Sequence, residues 1–279
     1  MPIAKGMEPN TDNPPRRLMR AALLGAALAA LAVAITLLLL DDGEARCVGP
    51  CKPPPHSRWS YQLQERPRII NARVYDVDGF DTPANFVKRL HRLKLYAICY
   101  IDAGTWEDWR PDRRRFPDSV LGRSNGWPGE RWLDIRRTDV LIPIMRDRIR
   151  MCRQKGFDAV EPDNVDGYTN DTGFPLKASD QLRYNRRIAL LAHSSHMAVG
   201  LKNDLDQAAA LRDVFDFAVV EQCFQYDECD KLKPFTSVSK PVFEVEYELP
   251  RSSFCAKAKQ LRMRALVAPV DLDRPGTPC

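Results

Sequence analysis

Histidine is scarce in this sequence, and none of it lies where a zinc hydrolase would need it. The chain has four histidines among 279 residues, and none ends a predicted strand. They are His56, His91, His193 and His196. Catalytic zinc is normally held by histidine side chains, and no cysteine spacing resembles a zinc-ribbon pattern. The sequence therefore disfavours a zinc hydrolase, and we expect neither a metal ion nor another cofactor.

Several other catalytic motifs are also missing. There is no Gly-x-Ser-x-Gly turn, no serine at a strand end beside a base, and no glycine loop that could cradle a phosphate. A basic patch is lacking too, because the formal net charge is only +5 and the arginines occur as scattered pairs and triplets. We interpret these as solvated surface and expect no nucleic-acid partner.

The N-terminal region contains a hydrophobic run that predicts a membrane anchor. Residues 21–40 carry no charged side chain, and about 20 apolar residues in a helix are enough to cross a bilayer. Basic residues precede the run, and acidic residues follow it from Asp41 onward. The positive-inside rule then predicts a cytoplasmic basic tail at 1–20, a transmembrane signal-anchor at 21–40 and the rest of the chain outside the cytoplasm.

A cleaved signal peptide is the alternative for the same segment, and it would give a secreted protein. Signal peptides usually have a shorter apolar region of about 7–15 residues, followed by a small-residue cleavage site. Here the run passes directly into Asp41 without such a site, which favours an uncleaved anchor. Several prolines then indicate a short, stiff linker over 41–57, and we place the folded domain at 58–279.

The chain has eight cysteines, which fits an oxidising compartment. Cys223 and Cys229 are close in sequence across a predicted turn, and we predict that they form a disulfide. We interpret Cys99 and Cys152, which lie in apolar strand and helix patterns, as buried thiols. The remaining four could pair with one another in any combination. They are Cys47, Cys51, Cys255 and Cys279.

From residue 59 onward, short β-rich runs alternate with helical patterns, which is typical of a parallel α/β fold. The predicted strands lie at 59–63, 73–79, 96–102, 157–164, 198–203, 215–223, 242–247 and 266–271. The predicted helices lie at 83–93, 139–155, 179–195, 205–213, 226–232 and 252–264. Gly156 is placed to end the second helix in a left-handed conformation. Eight strands with helices between them predict a (β/α)8 TIM barrel, in which the short first connection leaves the first helix missing.

Six of the eight predicted strands end in acidic residues. Side chains alternate along a strand, so Ala159, Glu161 and Asp163 share a face that is apolar at its base and acidic at its carboxyl end. The strand-end acids are Asp76, Asp78, Asp102, Asp163, Glu221, Glu244, Glu246, Asp271 and Asp273. Turn chemistry alone accounts for Asp166 and Gly167. Because TIM-barrel active sites lie at the carboxyl ends of the strands, the pattern predicts an acidic cleft that attracts cations.

The connection over 103–138 is unusually long and rich in aromatic residues. Loops of this length are usually functional or disordered, and a disordered loop would not carry four of the chain's five tryptophans. They are Trp106, Trp109, Trp127 and Trp132. Indole faces suit the apolar faces of sugars and attract cations, although Trp132 is placed to pin the loop to the barrel. Carboxylates with aromatic residues are typical of glycoside hydrolysis.

Sequence blocks in consistent order carry a family resemblance across residues 59–247. The longest are Val-Glu-Pro-Asp-Asn-Val-Asp-Gly-Tyr at 160–168, Gly-Leu-Lys-Asn-Asp at 200–204 and Phe-Asp-Phe-Ala-Val-Val-Glu-Gln-Cys at 215–223. Shorter ones are Asp-Val-Asp at 76–78, Trp-Arg-Pro-Asp at 109–112, Thr-Gly-Phe-Pro at 172–175 and Lys-Pro-Val-Phe at 240–243. These blocks resemble glycoside hydrolase family 114, which implies an endo-α-1,4-polygalactosaminidase on a TIM barrel. The resemblance weakens after Pro250.

The resemblance also implies the site residues. The family's catalytic aspartate on strand four and glutamate on strand six fall on Asp163 and Glu221. By analogy with other α-glycosidase barrels, we assign Asp163 as nucleophile and Glu221 as general acid/base of a retaining enzyme. The candidate substrate-binding residues are Asp76, Asp78, Tyr100, Trp106, Glu107, Glu161, Asn164, Lys202, Asn203 and Glu246.

Galactosamine without its acetyl group carries an ammonium, so the expected partner is a cationic amino-sugar polysaccharide. The acids, Glu244 included, would supply the negative field, and we expect the protein to act as a monomer. Two alternatives stay open. One is a different carboxylate-dependent hydrolase on the same barrel, which could depend on a metal. The other is a barrel that binds polysaccharide without cleaving it.

Overall fold

The computed structural model describes residues 50–279. In chain order its strands are β1 Trp59–Gln62, β2 Val74–Asp78, β3 Tyr96–Asp102, β4 Thr105–Glu107, β5 Leu121–Ser124, β6 Glu130–Leu133, β7 Ala159–Asp163, β8 Ala198–Lys202, β9 Phe217–Glu221, β10 Val242–Glu246, β11 Arg264–Val267 and β12 Thr277–Pro278. Its α-helices are α1 Ala84–Arg92, α2 Thr138–Lys155, α3 Ala178–Ser194, α4 Ala208–Leu211, α5 Lys233–Thr236 and α6 Arg251–Gln260. The predicted tail and anchor at 1–40 lie outside the described residues, and within 50–279 no helix is long and apolar enough to cross a bilayer.

Eight parallel strands form the barrel in the order β1-β2-β3-β7-β8-β9-β10-β11, and β12 adds to β11 in antiparallel orientation. All eight contribute side chains to one buried interior cluster. Its members include Trp59, Tyr61, Val74, Ile98, Ala159, Ala198, Phe217, Phe243, Val245 and Leu266. The backbone amides of Leu63 and Gln64 both donate to the carbonyl of Leu272, at 3.1 and 3.4 Å, which joins the chain after β1 to the chain after β11. The predicted α/β barrel is therefore confirmed, and no helix lies between β1 and β2.

Gly200 in β8 is required by the packing of the barrel interior. A Cβ atom at this position would lie only 2.4 Å from the ring of Phe217. The aromatic ring therefore occupies the space that a side chain on β8 would need, and the interior stays close-packed.

The helices cover the outside of the barrel, and their ends follow from local sequence. Helix α2 ends at Gly156, whose φ of 98° is the predicted left-handed C-cap. Helix α3 begins after Lys177, whose backbone amide donates to the Asp180 side chain at 3.1 Å. These helices pack their buried faces against the strands and one another.

Three disulfides join elements of the described chain. Cys223 pairs with Cys229 as predicted. Cys255 in α6 pairs with Cys279 after β12. The interpretation of Cys99 and Cys152 as free thiols was wrong, because they form a disulfide between β3 and α2. Apolar surroundings made both look like core residues, whereas the strand and the helix that covers it bring their Cα atoms to 5.9 Å.

Residues 51–53, within the predicted linker, pack on the amino-terminal end of the barrel. The Tyr96 hydroxyl donates to the carbonyl of Cys51, the Lys52 ammonium lies 3.4 Å from the Asp216 carboxylate, and Pro53 is buried. Tyr96 begins β3 and Asp216 precedes β9, so this contact lies at the pole opposite the strand ends that carry the acids.

The long connection after β3 has a sheet of its own. Strands β4, β6 and β5 pair in that order, all antiparallel. Trp132 in β6 is buried, as predicted for a residue that pins this insertion to the barrel. The insertion leads directly into α2 and forms one wall above the carboxyl ends of the strands.

Candidate active site

A cleft of about 500 Å³ lies at the carboxyl ends of the barrel strands, a volume typical of small-molecule sites. Both predicted catalytic residues line it. The other lining residues include Tyr61, Gln64, Asp78, Asp81, Tyr100, Glu107, Trp109, Arg110, Trp127, Glu130, Asn164, Lys202, Asn203, Val270, Asp271 and Leu272. The inward face of the barrel thus changes from apolar to polar along the strands, and the cleft occupies its polar end.

Strand register explains which residues meet at the cleft floor. In the pairing of β3 with β7, Tyr100 lies opposite Glu161 and Asp102 opposite Asp163. Strand β8, which ends at Lys202, lies between β7 and β9. The side chain of Lys202 is therefore brought between the acids that end its two neighbouring strands.

Lys202 connects the two predicted catalytic acids. Its side chain is only 1% exposed, and its ammonium lies 3.0 Å from Asp163 Oδ1 and 3.4 Å from Glu221 Oε2. Glu161 Oε1 lies 3.2 Å away, and the Tyr61 hydroxyl oxygen 3.0 Å away. Burial alone lowers the pKa of Lys202, but the three carboxylates raise it and the net shift is well upward. The lysine is therefore a permanent cation.

Asp163 is held on three sides. The Tyr100 hydroxyl donates to Oδ2 at 2.8 Å, and Oδ1 accepts from Lys202 and from the backbone amide of Asn164 at 2.8 Å. Its side chain keeps 17% of its exposure, unlike the fully buried Glu161 on the same strand. Asp163 is thus a positioned carboxylate that a ligand in the cleft can reach.

The Glu221 side chain is also held by hydrogen bonds from neighbouring residues. The Tyr247 hydroxyl donates to Oε1, and the Asn203 amide donates to Oε2 at 3.3 Å. The same Asn203 accepts from the Glu221 backbone amide at 3.0 Å. The Glu221 side chain is 26% exposed, so it too faces the cleft.

Each of the three central strands turns sharply directly after its functional residue. Asn164, Asn203 and Gln222 follow the ends of β7, β8 and β9 with φ values of 57°, 50° and 56°. This left-handed conformation is unusual outside glycine but best tolerated by asparagine. It lets the Asn164 side chain turn back and donate to Asp102 at 2.8 Å. Asn164 and Asn203, which were predicted to bind substrate, both line the cleft at these turns.

Three tyrosines support the site, two of them not among the predicted residues. Tyr61 and Tyr247 donate to Glu161 and Glu221, as Tyr100 does to Asp163. Burial raises the pKa of all three, and neighbouring carboxylates raise it further. The hydroxyls therefore stay protonated as donors. The available signals were the alternation Trp59, Tyr61 in β1 and the position of Tyr247 directly after β10.

Arg110 organises a second acidic group at the edge of the cleft. Its guanidinium binds Asp78 at 2.6 and 3.2 Å and Glu107 at 2.6 Å. Arg148 lies 3.4 Å from Glu107. Burial raises the pKa of Glu107 to about 7, against the lowering effect of both arginines. Asp78 and Glu107, which were predicted to bind substrate, line the cleft, but their ion pairs offset their charge. Arg110 was not among the predicted residues, although the Trp-Arg-Pro-Asp block contains it.

Asp76 and Glu161 were predicted to contact substrate, but they lie beneath the cleft floor. Both are fully buried and neither lines the cleft. Burial, followed by the charge and hydrogen bond of Glu161, raises the pKa of Asp76 well above its ordinary value. Burial thus favours the neutral form of Asp76, while Glu161 supports Lys202 from below.

The prediction for Glu244 and Glu246 was wrong because the opposite face of β10 points into the barrel. Phe243 and Val245 belong to the interior cluster, so both glutamates point outward beneath the covering loops. Glu246 Oε1 accepts from the backbone amides of residues 224 and 225, at 2.8 and 3.3 Å. Burial, with Glu246 next to it, raises the pKa of Glu244 to about 10. Neither residue reaches the cleft.

Trp106 is also placed away from the cleft. It is half-buried against the outer core, and its indole nitrogen donates to the carbonyl of Arg113 at 3.0 Å. Trp109 and Trp127, from the same insertion, line the cleft instead. Sequence alone identified the aromatic loop but not which of its rings face the cleft.

A family model described as glycoside-hydrolase family GH114 matches residues 44–279. A search of curated proteins gave no match.

Two solved structures are similar over most of their length. Aspergillus fumigatus Ega3, in complex with galactosamine, is 34% identical with a TM-score of 0.78, covering 83% of this chain and 98% of that chain. The glycoside hydrolase domain of PelA from Pseudomonas aeruginosa is 13% identical with a TM-score of 0.63, covering 79% of this chain and 97% of that chain. At that identity the second similarity concerns the fold alone.

Proposed function

Because this chain belongs to glycoside-hydrolase family GH114 and is a glycosidase, we propose that it cleaves α-1,4-linked galactosamine-containing polysaccharide between internal units. The observation that carries the proposal is the pairing of Asp163 and Glu221 across Lys202 at the floor of the cleft. Both acids keep partial exposure there. Ega3, the relative with 34% identity, was solved with galactosamine.

The proposed reaction has two steps. The Asp163 carboxylate attacks the anomeric carbon and forms a glycosyl ester, while Glu221 gives its proton to the departing glycosidic oxygen. Glu221 then takes a proton from a water molecule that attacks the same carbon and releases Asp163. Tyr100 and Tyr247 hold the two carboxyls through their hydroxyl groups.

The shared contact with Lys202 is consistent with the short carboxyl separation of a retaining mechanism. Asp163 Oδ1 and Glu221 Oε2 lie 3.0 and 3.4 Å from the same nitrogen, so these oxygens can be no farther apart than the sum of the two contacts. Inverting enzymes separate their carboxyls by about 6.5–9.5 Å, against about 5–5.5 Å in retaining ones. Proton NMR of the first product anomer tests the assignment, and initial release of the β-anomer would overturn it.

The charge of the cleft supports a cationic amino-sugar substrate. Asp163, Glu221, Glu130 and Asp271 line it, and an ammonium on each sugar would be attracted by such a field. Screening by salt and acetylation of the polymer should both slow turnover. An enzyme indifferent to both would contradict an electrostatic role.

We also propose that the barrel acts outside the cytoplasm, anchored through residues 21–40 as a single-pass protein with a linker and the catalytic domain beyond. Three disulfides in the described residues support an oxidising compartment. Membrane fractionation of the expressed full-length chain distinguishes an anchor from signal cleavage, because cleavage would release a shorter, soluble product. Light scattering of the purified protein tests the expected monomer.

The deciding experiment is incubation of the full-length chain with α-1,4-linked galactosamine polymer. We expect cleavage to fall by at least about 1000-fold in Asp163→Asn and Glu221→Gln, since each removes a group that acts on the reacting atoms. Asp230→Asn and Glu248→Gln are the matched controls, because both are exposed acids outside the cleft. Binding without cleavage in the wild type would instead favour a non-catalytic barrel.

A further inference from the structure

The tryptophans of the chain fall into two groups. Trp59 and Trp132 are buried, and Trp106 is half-buried with its indole nitrogen hydrogen-bonded. Trp109 and Trp127 are 48% and 50% exposed, and both line the cleft. Core packing therefore explains the first group, but it does not explain why two large aromatic rings are left facing solvent above an acidic cleft.

Trp109 is held in place although it is exposed. A Cβ atom on Gly129 would lie 2.9 Å from its ring, so the ring rests close against a backbone that has no side chain there. The Arg110 guanidinium lies 5.9 Å from the ring centre, and it is itself fixed by Asp78 and Glu107. The ring thus lies beside the Gly129 backbone and beside a guanidinium that buried ion pairs hold in place.

The turn that carries Trp127 is held from both sides. Its backbone amide donates to Asn125 Oδ1 at 3.0 Å, and its carbonyl accepts from the amide of Glu130 at 3.1 Å. The Asn125 and Glu130 side chains also bond each other, at 2.5 Å. Exposed rings presented by fixed turns lose little conformational freedom when a ligand covers them.

We propose that Trp109 and Trp127 form an aromatic surface that binds galactosamine units of the polymer beyond the unit that lies on Asp163 and Glu221. This inference rests on the proposed function. The apolar face of a pyranose packs against an indole ring, and its ammonium is attracted by the same ring.

Nearby acids favour deacetylated units on this surface. Asp81, on the loop after β2, lies 3.4 Å from the Arg110 guanidinium but has a side chain that is 77% exposed. Asp271, after β11, also lines the cleft. A sugar ammonium near these acids and the two rings would gain both charge attraction and ring contact. The surface therefore selects long, deacetylated chains, and it makes the enzyme's efficiency depend on substrate length.

The test is a length series of α-1,4-linked galactosamine oligomers with the full-length chain. For the longest oligomer, we expect Trp109→Ala and Trp127→Ala each to lower kcat/KM about tenfold, mostly through KM. For the shortest oligomer that is cleaved, the change should stay within about twofold. Tyr226→Ala is the matched control, since this aromatic residue is 62% exposed and lies outside the cleft. A loss equal at all lengths, or no loss, overturns the proposal.

Calorimetric binding of the longest oligomer to Glu221→Gln separates this inference from the proposed function. Adding Trp109→Ala or Trp127→Ala to that variant should weaken Kd about tenfold. If the wild type cleaves no galactosamine polymer, the function fails, yet a weakened Kd still supports the surface. An unchanged Kd, or no binding before the tryptophans are replaced, overturns the surface whatever the catalytic result.

Discussion

Lys202 shows how much of the proposed chemistry rests on one residue. Its buried ammonium contacts Asp163, Glu221 and Glu161, and removing it would leave three close carboxylates without their common cation. Such a loss is costly because buried charges need a partner. We infer that Lys202 is a positioning residue, since its raised pKa keeps it protonated and prevents it from acting as a base or nucleophile.

We therefore predict that Lys202→Met lowers kcat/KM at least about 100-fold, because both acids lose their alignment. A carboxylate that loses a cation at 3.0 Å also binds a proton more tightly. The acidic limb of the kcat/KM profile should accordingly move to higher pH, which pH-dependent initial rates measure. A rate loss with an unmoved profile would point to general misfolding rather than to charge.

Lys155→Met provides the control for that prediction. The Lys155 ammonium donates to the backbone carbonyls of Gly79 and Phe80, each at 2.7 Å, outside the cleft. Its loss should lower thermal stability without moving the pH profile. The comparison separates removal of a lysine that supports the fold from removal of one that faces the acids.

Among the individual site residues, the sequence predicts the catalytic acids better than the residues that contact them. Alternation places Asp163 and Glu221 on the inward faces of their strands, and the structure brings both into the cleft. It fails for Glu246, because both faces of a barrel strand are covered and the pattern does not tell inside from outside. Tyr61 was not predicted for another reason: its hydrogen-bond partner, Glu161, is 100 residues away in sequence.

Among the elements, β3 and α2 are joined by the Cys99–Cys152 disulfide. This bond spans 53 residues, whereas Cys223–Cys229 spans 6. In the chain-entropy account, a disulfide stabilises by restricting the unfolded chain, and the effect grows with the loop that it closes. The two bonds should therefore contribute unequally to the free energy of unfolding.

We predict that replacing both Cys99 and Cys152 by alanine lowers the free energy of unfolding by about 4 kcal/mol, and that the same change at Cys223 and Cys229 lowers it by about 2 kcal/mol. Urea unfolding of the two double variants beside the wild type gives the comparison. The second pair serves as the control, because all four cysteines are buried. An equal loss in both variants would contradict the loop-length argument.

The elements themselves were predicted unevenly. The first seven barrel strands and the long helices follow from strong periodicity. The eighth strand was predicted at 266–271 but lies at Arg264–Val267, so Asp271 follows it in a loop. The helix predicted at 226–232 is replaced by a 3-10 turn, Cys229–Leu232, followed by α5. The short loop closed by the Cys223–Cys229 disulfide holds the start of that segment in a turn. The small β4-β6-β5 sheet was missed, since its strands have only three or four residues and no clear alternation.

Over the whole molecule, buried acids make folding sensitive to pH. Burial is the largest cause that raises the pKa of Asp166 to about 6, of Asp204 to about 8 and of Glu244 to about 10. At a pH between the ordinary carboxyl pKa and its own raised pKa, each of these acids holds a proton in the folded state that the unfolded chain has released. Stability is therefore lost as pH rises from the unfolded pKa through the folded pKa.

Glu244 gives the sharpest test of this effect, because it is fully buried and outside the cleft. Between pH 6 and 8 the wild type should lose about 1.4 kcal/mol of unfolding free energy per pH unit through this one proton. Glu244→Gln keeps a donor toward Glu246 but cannot ionise, so its stability relative to the wild type should rise with pH by that slope. Urea unfolding at several pH values measures it, with Glu248→Gln, an exposed acid on the adjoining loop, as control. Parallel curves for wild type and Glu244→Gln would show that this carboxyl is ionised in the folded protein.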